Sequence, residues 1–172
     1  MNFIKKKIKA FVRSILKEEV NDLMRKNNSN RESYFRSNYD ISKTVKFGRM
    51  QDICLSGKNI SIGANTYINS GSIQSGENSS VKIGEWCAIG YNVNIIAVSH
   101  DVDKPTGPIE TRPIVEKDIV IGDRCWIGTN VFIKEGIVIG NDVVIGANSL
   151  VVKDVPDKAI VGGVPAKIIR LK

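Results

Sequence analysis

The chain has 172 residues, enough for one domain with a short appendage and too few for a multidomain machine. Aromatic residues make up only 6% of it while Gly occupies 15 positions, so any core must be aliphatic and thin. The formal net charge is +7, yet positions 1–36 hold ten basic and four acidic residues, which leaves fifteen against fourteen for the rest. A nearly neutral body argues against a nucleic-acid partner.

Residues 1–40 form a basic leader. Within it, Ile4, Ile8, Phe11, Ile15 and Leu16 recur at spacings of three and four among Lys5, Lys6, Lys7, Lys9, Arg13 and Lys17, which predicts an amphipathic helix over residues 1–26. Asn27, Asn28, Ser29 and Asn30 are expected to end it. Such a helix suits either an anionic membrane surface or a neighbouring subunit, and periodicity does not separate the two. The longest apolar runs fall short of the roughly 18 residues that cross a bilayer, and no small-residue cleavage site follows the leader. Cys54, Cys87 and Cys125 form no C-x-x-C pair, so neither a disulfide framework nor a zinc ribbon is expected. A cytoplasmic protein fits these features, with the leader as the part that would meet the inner face of the membrane.

From about Val45, within a body spanning residues 41–172, the helical period gives way to a period of six. Ile62 and Ile68, then Ile83, Ile89 and Ile95, then Ile121, Ile127, Ile133, Ile139, Ile145 and Val151 keep that spacing, most of them followed by Gly. Two positions ahead sit small or β-branched residues: Thr66, Val81, Cys87, Val93, Ile119, Cys125, Val131, Ile137, Val143 and Ser149. The physical solution is a solenoid in which six residues make one face of a triangular coil and eighteen make a turn. The aliphatic would point to the prism axis, its small companion would fill the remaining interior, and Gly, Asn or Asp would take left-handed backbone angles at the corners. Cys87 and Cys125 are thereby expected in the core. The repeat breaks between Ile95 and Ile121, in a loop of about 97–118 that carries Ser99-His100-Asp101-Val102-Asp103-Lys104-Pro105. His100 is the only histidine in the chain.

The motifs Ile121-Gly122-Asp123, Trp126-Ile127-Gly128, Ile145-Gly146-Ala147, Lys153-Asp154-Val155-Pro156 and Gly163-Val164-Pro165-Ala166-Lys167 stand in a recognisable order. In them the chain resembles the hexapeptide-repeat acyltransferases, most of all the sugar O-acetyltransferases such as the maltose, galactoside and nodulation-factor enzymes. The resemblance covers about residues 45–172. It implies an all-β, left-handed parallel β-helix that assembles as a homotrimer with sites between subunits, and a reaction that moves acetyl from acetyl-CoA to a sugar hydroxyl without a metal. The acceptor it suggests belongs to a bacterial surface polysaccharide, in capsule or lipopolysaccharide biosynthesis.

The resemblance also assigns roles. His100 would be the general base, since a hydroxyl is a poor nucleophile until its proton is removed and imidazole, with an unperturbed pKa near 6.5, accepts one at neutral pH. Asp101, Asp103 and Glu110 are unranked candidates for orienting it. Asn69 would contact the acceptor, although its bare reading is a turn asparagine, and the Thr129 N–H would donate to the oxyanion. Gly90, Gly128, Thr129 and Ala147 would line the pantetheine arm, with Trp126 packed beside the loop, and Lys153, Lys167 and Arg170 would meet the nucleotide phosphates. An amino-sugar N-acetyltransferase and a non-catalytic β-helical scaffold are the rival readings. A γ-class carbonic anhydrase would need three histidines, and serine acetyltransferase carries a long helical N-terminal domain where about 40 residues stand here.

Overall fold

The computed structural model describes residues 2–101, 103, 104, 108 and 111–172, with the side chains of 2–5 and 8–11 outside that description. The described chain divides into two compact units, the first ending at Tyr34 and the second running from Phe35 to Lys172.

Helix α1 spans Asn2–Asn38 and does not stop at the expected 27–30 stretch. Asn and Ser are mediocre helix formers, costing well under about 1 kcal/mol each, and neither Gly nor Pro occurs between residues 2 and 38 to end the helix outright. In the first unit, the Arg25 guanidinium pairs with Asp22 one turn earlier at 3.2 Å. Val12, Ile15, Leu16, Val20, Leu23 and Met24 are all exposed there.

In the second unit the last turn of α1 enters the core. Phe35 is buried and meets the Phe47 ring edge-on at 5.9 Å. Arg36 lies over the same ring at 5.5 Å and donates to the Ser42 and Val45 carbonyls, each at 2.9 Å. Phe35 thus closes the N-terminal end of an otherwise open core. Phe35→Ala should cost about 3 to 5 kcal/mol, read as a lower urea midpoint for the β-helix. A loss below about 1 kcal/mol would mean that the end is sealed otherwise.

From Asp40 onward the chain forms a left-handed parallel β-helix. Its first face stacks Asp40–Ile41, Ile60–Ile62, Val81–Ile83, Ile119–Ile121 and Val138–Ile139. The second stacks Lys46–Phe47, Tyr67–Ile68, Ala88–Ile89, Trp126–Ile127, Val144–Ile145 and Ala159–Gly162, and Lys167–Leu171 then pairs antiparallel with Ala159–Gly162. The third stacks Ile53–Ser56, Gly71–Gln74, Val93–Ile96, Phe132–Ile133 and Leu150–Val151. Trp126 pairs with Val144, eighteen residues on, as the six-residue period requires. Earlier coils are longer, as where Tyr67 pairs with Ala88, 21 residues on, and one is far longer: Trp126 pairs back to Ala88, 38 residues earlier.

All eleven repeated aliphatics are buried, as are all ten small companions. Each fully buried Ile contributes roughly 1.5 to 3 kcal/mol of transfer free energy. Cys87 and Cys125 stack inside the prism, their thiols donating to the Gly122 and Gly140 carbonyls at 3.2 and 3.1 Å. The hydrogen bond to Cys87 and burial push the Cys125 thiol far above its ordinary value, so it packs as a neutral apolar group.

The corners differ from the sequence expectation in one respect. The glycines of the Ile-Gly pairs do not take left-handed angles; Asn65, Trp86, Asn92, Arg124, Asn130, Asp142, Asn148 and Lys158 do, with φ between 52° and 60°. The backbone N–H of a corner residue such as Asn130 or Arg124 donates to the coil before it, at 2.9 and 2.8 Å, and this bond offsets the roughly 1–2 kcal/mol cost of the left-handed conformation. The Ile-Gly glycines serve close approach instead. A Cβ on Gly128 would stand 2.6 Å from the Ala147 nitrogen of the next coil. Arg124 adds a bidentate pair to Asp142, both contacts at 2.9 Å, which holds the Asp142 carboxyl below its usual value.

Candidate active site

Strand alternation alone dictates what the second face shows to solvent. Ile68, Ile89, Ile127 and Ile145 point inward, so their neighbours Tyr67, Ala88, Trp126 and Val144 point outward. Beside this row runs the corner between the second and third faces, built from Asn69, Gly90-Tyr91, Gly128-Thr129 and Gly146-Ala147. Together they wall a groove of about 400 Å³. Its floor is narrow and lined by small residues because the glycines let successive coils touch. Its rim carries the half-exposed rings of Tyr67, Tyr91 and Trp126.

The groove has unused polar groups. Among the described residues the Thr129 N–H donates to no acceptor, although the Thr129 carbonyl is taken by the Asn148 N–H at 2.9 Å. The Asn69 main chain is held from both sides, its N–H by the Ile89 carbonyl at 3.0 Å and its carbonyl by the Arg49 N–H at 2.8 Å. Its side-chain amide has no hydrogen-bond partner among the described residues. A ladder of amides, Asn92 to Asn130 at 2.9 Å and Asn130 to Asn148 at 3.1 Å, stiffens the corner just outside the groove.

His100 lies elsewhere. After Ala97, whose N–H donates to the Gln74 carbonyl, the chain leaves the prism at the corner between the third and first faces. It does so as an antiparallel hairpin in which Val98–His100 pairs with Ile114–Glu116 and His100 stands opposite Ile114. The imidazole is exposed and has no hydrogen-bond partner among the described residues. Asp101 accepts from the Asp103 N–H at 3.1 Å and pairs with Lys104 at 3.3 Å, so its carboxylate is turned to its own loop. Asp103 makes no hydrogen bond or ion pair with the imidazole, and Glu110 lies outside the described residues.

The hairpin is clamped at its base. The Glu116 carboxylate accepts the backbone N–H groups of Glu77 and Asn78 at 3.3 and 2.5 Å. Asp118 accepts the N–H and hydroxyl of Ser80 at 2.6 and 3.0 Å, and the Ser79 hydroxyl donates to the Ala97 carbonyl at 3.2 Å. Gly76 leaves room for this clamp, because a Cβ there would overlap the Glu116 carboxyl.

The structure therefore brings Asn69, Gly90, Trp126, Gly128, Thr129 and Ala147 into one groove and sets His100 on a different corner of the prism. Lys167 and Arg170 are exposed on the strand that extends the groove's own face. Lys153 sits instead at the hairpin's corner, two coils further along. Tyr67, Tyr91 and Val144 line the groove without having been anticipated, and the clamp at Glu116, on the hairpin's corner, was not anticipated either. Tyr67 could have been found, since it precedes Ile68 as Trp126 precedes Ile127; the clamp leaves no periodic signal.

The family model for the bacterial transferase hexapeptide (six repeats) matches residues 118–153. WbbJ of Escherichia coli K12, provisionally named a lipopolysaccharide biosynthesis O-acetyl transferase, is 36% identical over 63% of this chain and 57% of its own. The galactoside O-acetyltransferase of the same organism is 37% identical over 66% of this chain and 55% of its own. The chain thus spans little more than half the length of these two relatives. Among solved structures, the hexapeptide-repeat acetyltransferase VCA0836 of Vibrio cholerae, complexed with acetyl-CoA, superimposes with a TM-score of 0.68 at 30% identity. That match covers 83% of this chain and 76% of that one.

Proposed function

This chain belongs to the hexapeptide-repeat acetyltransferases, and on that premise we propose that it moves an acetyl group from acetyl-CoA to a hydroxyl of a sugar. The observation that carries the reading is the groove. Its glycine-lined floor fits a slender pantetheine arm, its unused Thr129 N–H can meet a developing oxyanion, and its aromatic rim with Asn69 suits a sugar. Lys167 and Arg170, exposed on the strand that continues that face, supply cations for the nucleotide phosphates of the same molecule in this reading.

His100 removes the acceptor hydroxyl proton as its oxygen attacks the thioester carbon. The negative charge gathers on the former carbonyl oxygen, where one N–H donor typically contributes about 3 kcal/mol. Collapse breaks the C–S bond, and the imidazolium returns its proton to the leaving thiolate. No covalent enzyme intermediate forms. Because the hairpin and the groove occupy different corners of one prism, the site is completed between subunits, with His100 and Lys153 from one and the groove from its neighbour in a homotrimer. Acetyl-CoA is a cytoplasmic metabolite, which supports a cytoplasmic location. Similarity to WbbJ supports an acceptor in a surface polysaccharide or its precursor.

Thiol release from acetyl-CoA, measured with neutral and amino sugars in parallel, tests the reading. Acceptor-dependent release with neutral sugars and a base-labile product is expected. Turnover confined to amino sugars, with a base-stable product, would make the enzyme an N-acetyltransferase. No release with any acceptor would leave a β-helical scaffold.

A further inference from the structure

The groove and hairpin leave the first unit of the molecule without a use. At 100° per residue, the large apolar residues Ile4, Ile8, Phe11, Val12, Ile15 and Leu16 share an arc of about 140°, interrupted only by Lys5 near its edge. Lys6, Lys7, Lys9, Arg13 and Lys17 take the opposite arc. Residues 2–17 are helical, and Val12, Ile15 and Leu16 are 47%, 41% and 54% exposed. Lys6, Arg13 and Lys17 are exposed on the other side. The pattern stops there: Glu19 and Asp22 fall on the arc that was apolar, so the stripe is about four turns long and does not continue as a coiled-coil seam.

Charge decides between a second copy of this helix and another surface. The segment from residue 1 to 17 holds six cations and no carboxylate. Apposing two such segments would crowd like charges with no partner, whereas an anionic surface complements them. We propose that the segment from residue 2 to 17 lies in the plane of an anionic lipid bilayer, burying Val12, Ile15 and Leu16 among the acyl chains while the cations meet the headgroups. No helix among the described residues is long and apolar enough to cross a membrane, so the contact is peripheral. The proposal is independent of the acetyl-transfer reading.

The test is cosedimentation of the full chain with vesicles of phosphatidylcholine alone or with about 30% phosphatidylglycerol. Binding is expected only to the anionic vesicles and should weaken at about 0.5 M salt. Lys6→Glu with Arg13→Glu, and separately Ile15→Asp with Leu16→Asp, should each reduce binding about tenfold or more. Both should leave acetyl transfer to a soluble sugar and the mass by light scattering unchanged. A Leu16→Trp variant should shift its emission to the blue on anionic vesicles only. Equal binding to both vesicle types, or binding that survives both double variants, overturns the proposal. So does a loss of oligomer mass in the aspartate variant with lipid binding intact, which would assign the stripe to another copy.

Discussion

Replacing His100 with alanine is expected to lower acetyl transfer by about 10² to 10⁴-fold, with little change in KM for acetyl-CoA. A hydroxyl acceptor needs a base as it attacks, and the chain contains no second histidine to take over. The groove does not touch the hairpin, so acetyl-CoA should still bind. A sharper result comes from pairing this variant with Gly128→Val, whose side chain would enter the space held by the Ala147 backbone and spoil the groove. Each variant alone should be nearly inactive. Co-expressed in equal amounts, they should recover about a quarter of wild-type activity, because random assembly gives that share of sites an intact hairpin from one subunit and an intact groove from its neighbour. If the mixture stays as inactive as its parts, the site is contained in one chain. If His100→Ala turns over at near wild-type rate, the general base is another group.

Removing the clamp at Glu116 is expected to have the second-largest effect. Its carboxylate holds two backbone N–H groups of the 77–78 turn and so sets the base of the strand pair that carries His100. In Glu116→Ala the hairpin loses this anchor while the groove, at another corner, keeps its shape. A displacement of about 1 Å can cost up to 10²-fold when a general base must meet a bound hydroxyl. The expected signature is therefore a fall in kcat by about 10 to 10²-fold with KM for acetyl-CoA unchanged. Glu116→Gln retains an oxygen for one of the two donors and should recover part of the loss. Gly76→Ala should reproduce it by pushing the Glu116 carboxyl aside. If Glu116→Ala lowers the yield of folded protein but leaves kcat intact, the clamp serves folding and not the placement of His100.

The two variants probe parts of the molecule that were legible to different degrees. The eleven aliphatics and their companions describe the prism before any coordinates, because a period of six with buried Ile has one compact solution. The groove was half legible: the family resemblance, and not the repeat by itself, points to Gly90, Gly128 and Ala147, while Tyr91 occupies a corner where the period tolerates any residue. Helix α1 runs twelve residues past the expected end at Lys26, because Asn and Ser weaken a helix without stopping it and burial of Phe35 draws it on to Asn38.

By itself, then, the sequence determined what is periodic: the coil, its aliphatic interior, the interruption that carries His100 and the neutrality of the body against the basic leader. Those properties depend on composition and on the order of residues along the chain, not on which distant residues meet. Only the tertiary structure decided what depends on which corner a residue reaches. Stacking coils of unequal length, one of them 38 residues long, sets Asn69 beside Trp126 and keeps His100 away from both. The corner on which a residue falls is the running sum of all the turns before it, so it appears only when the whole chain is wound.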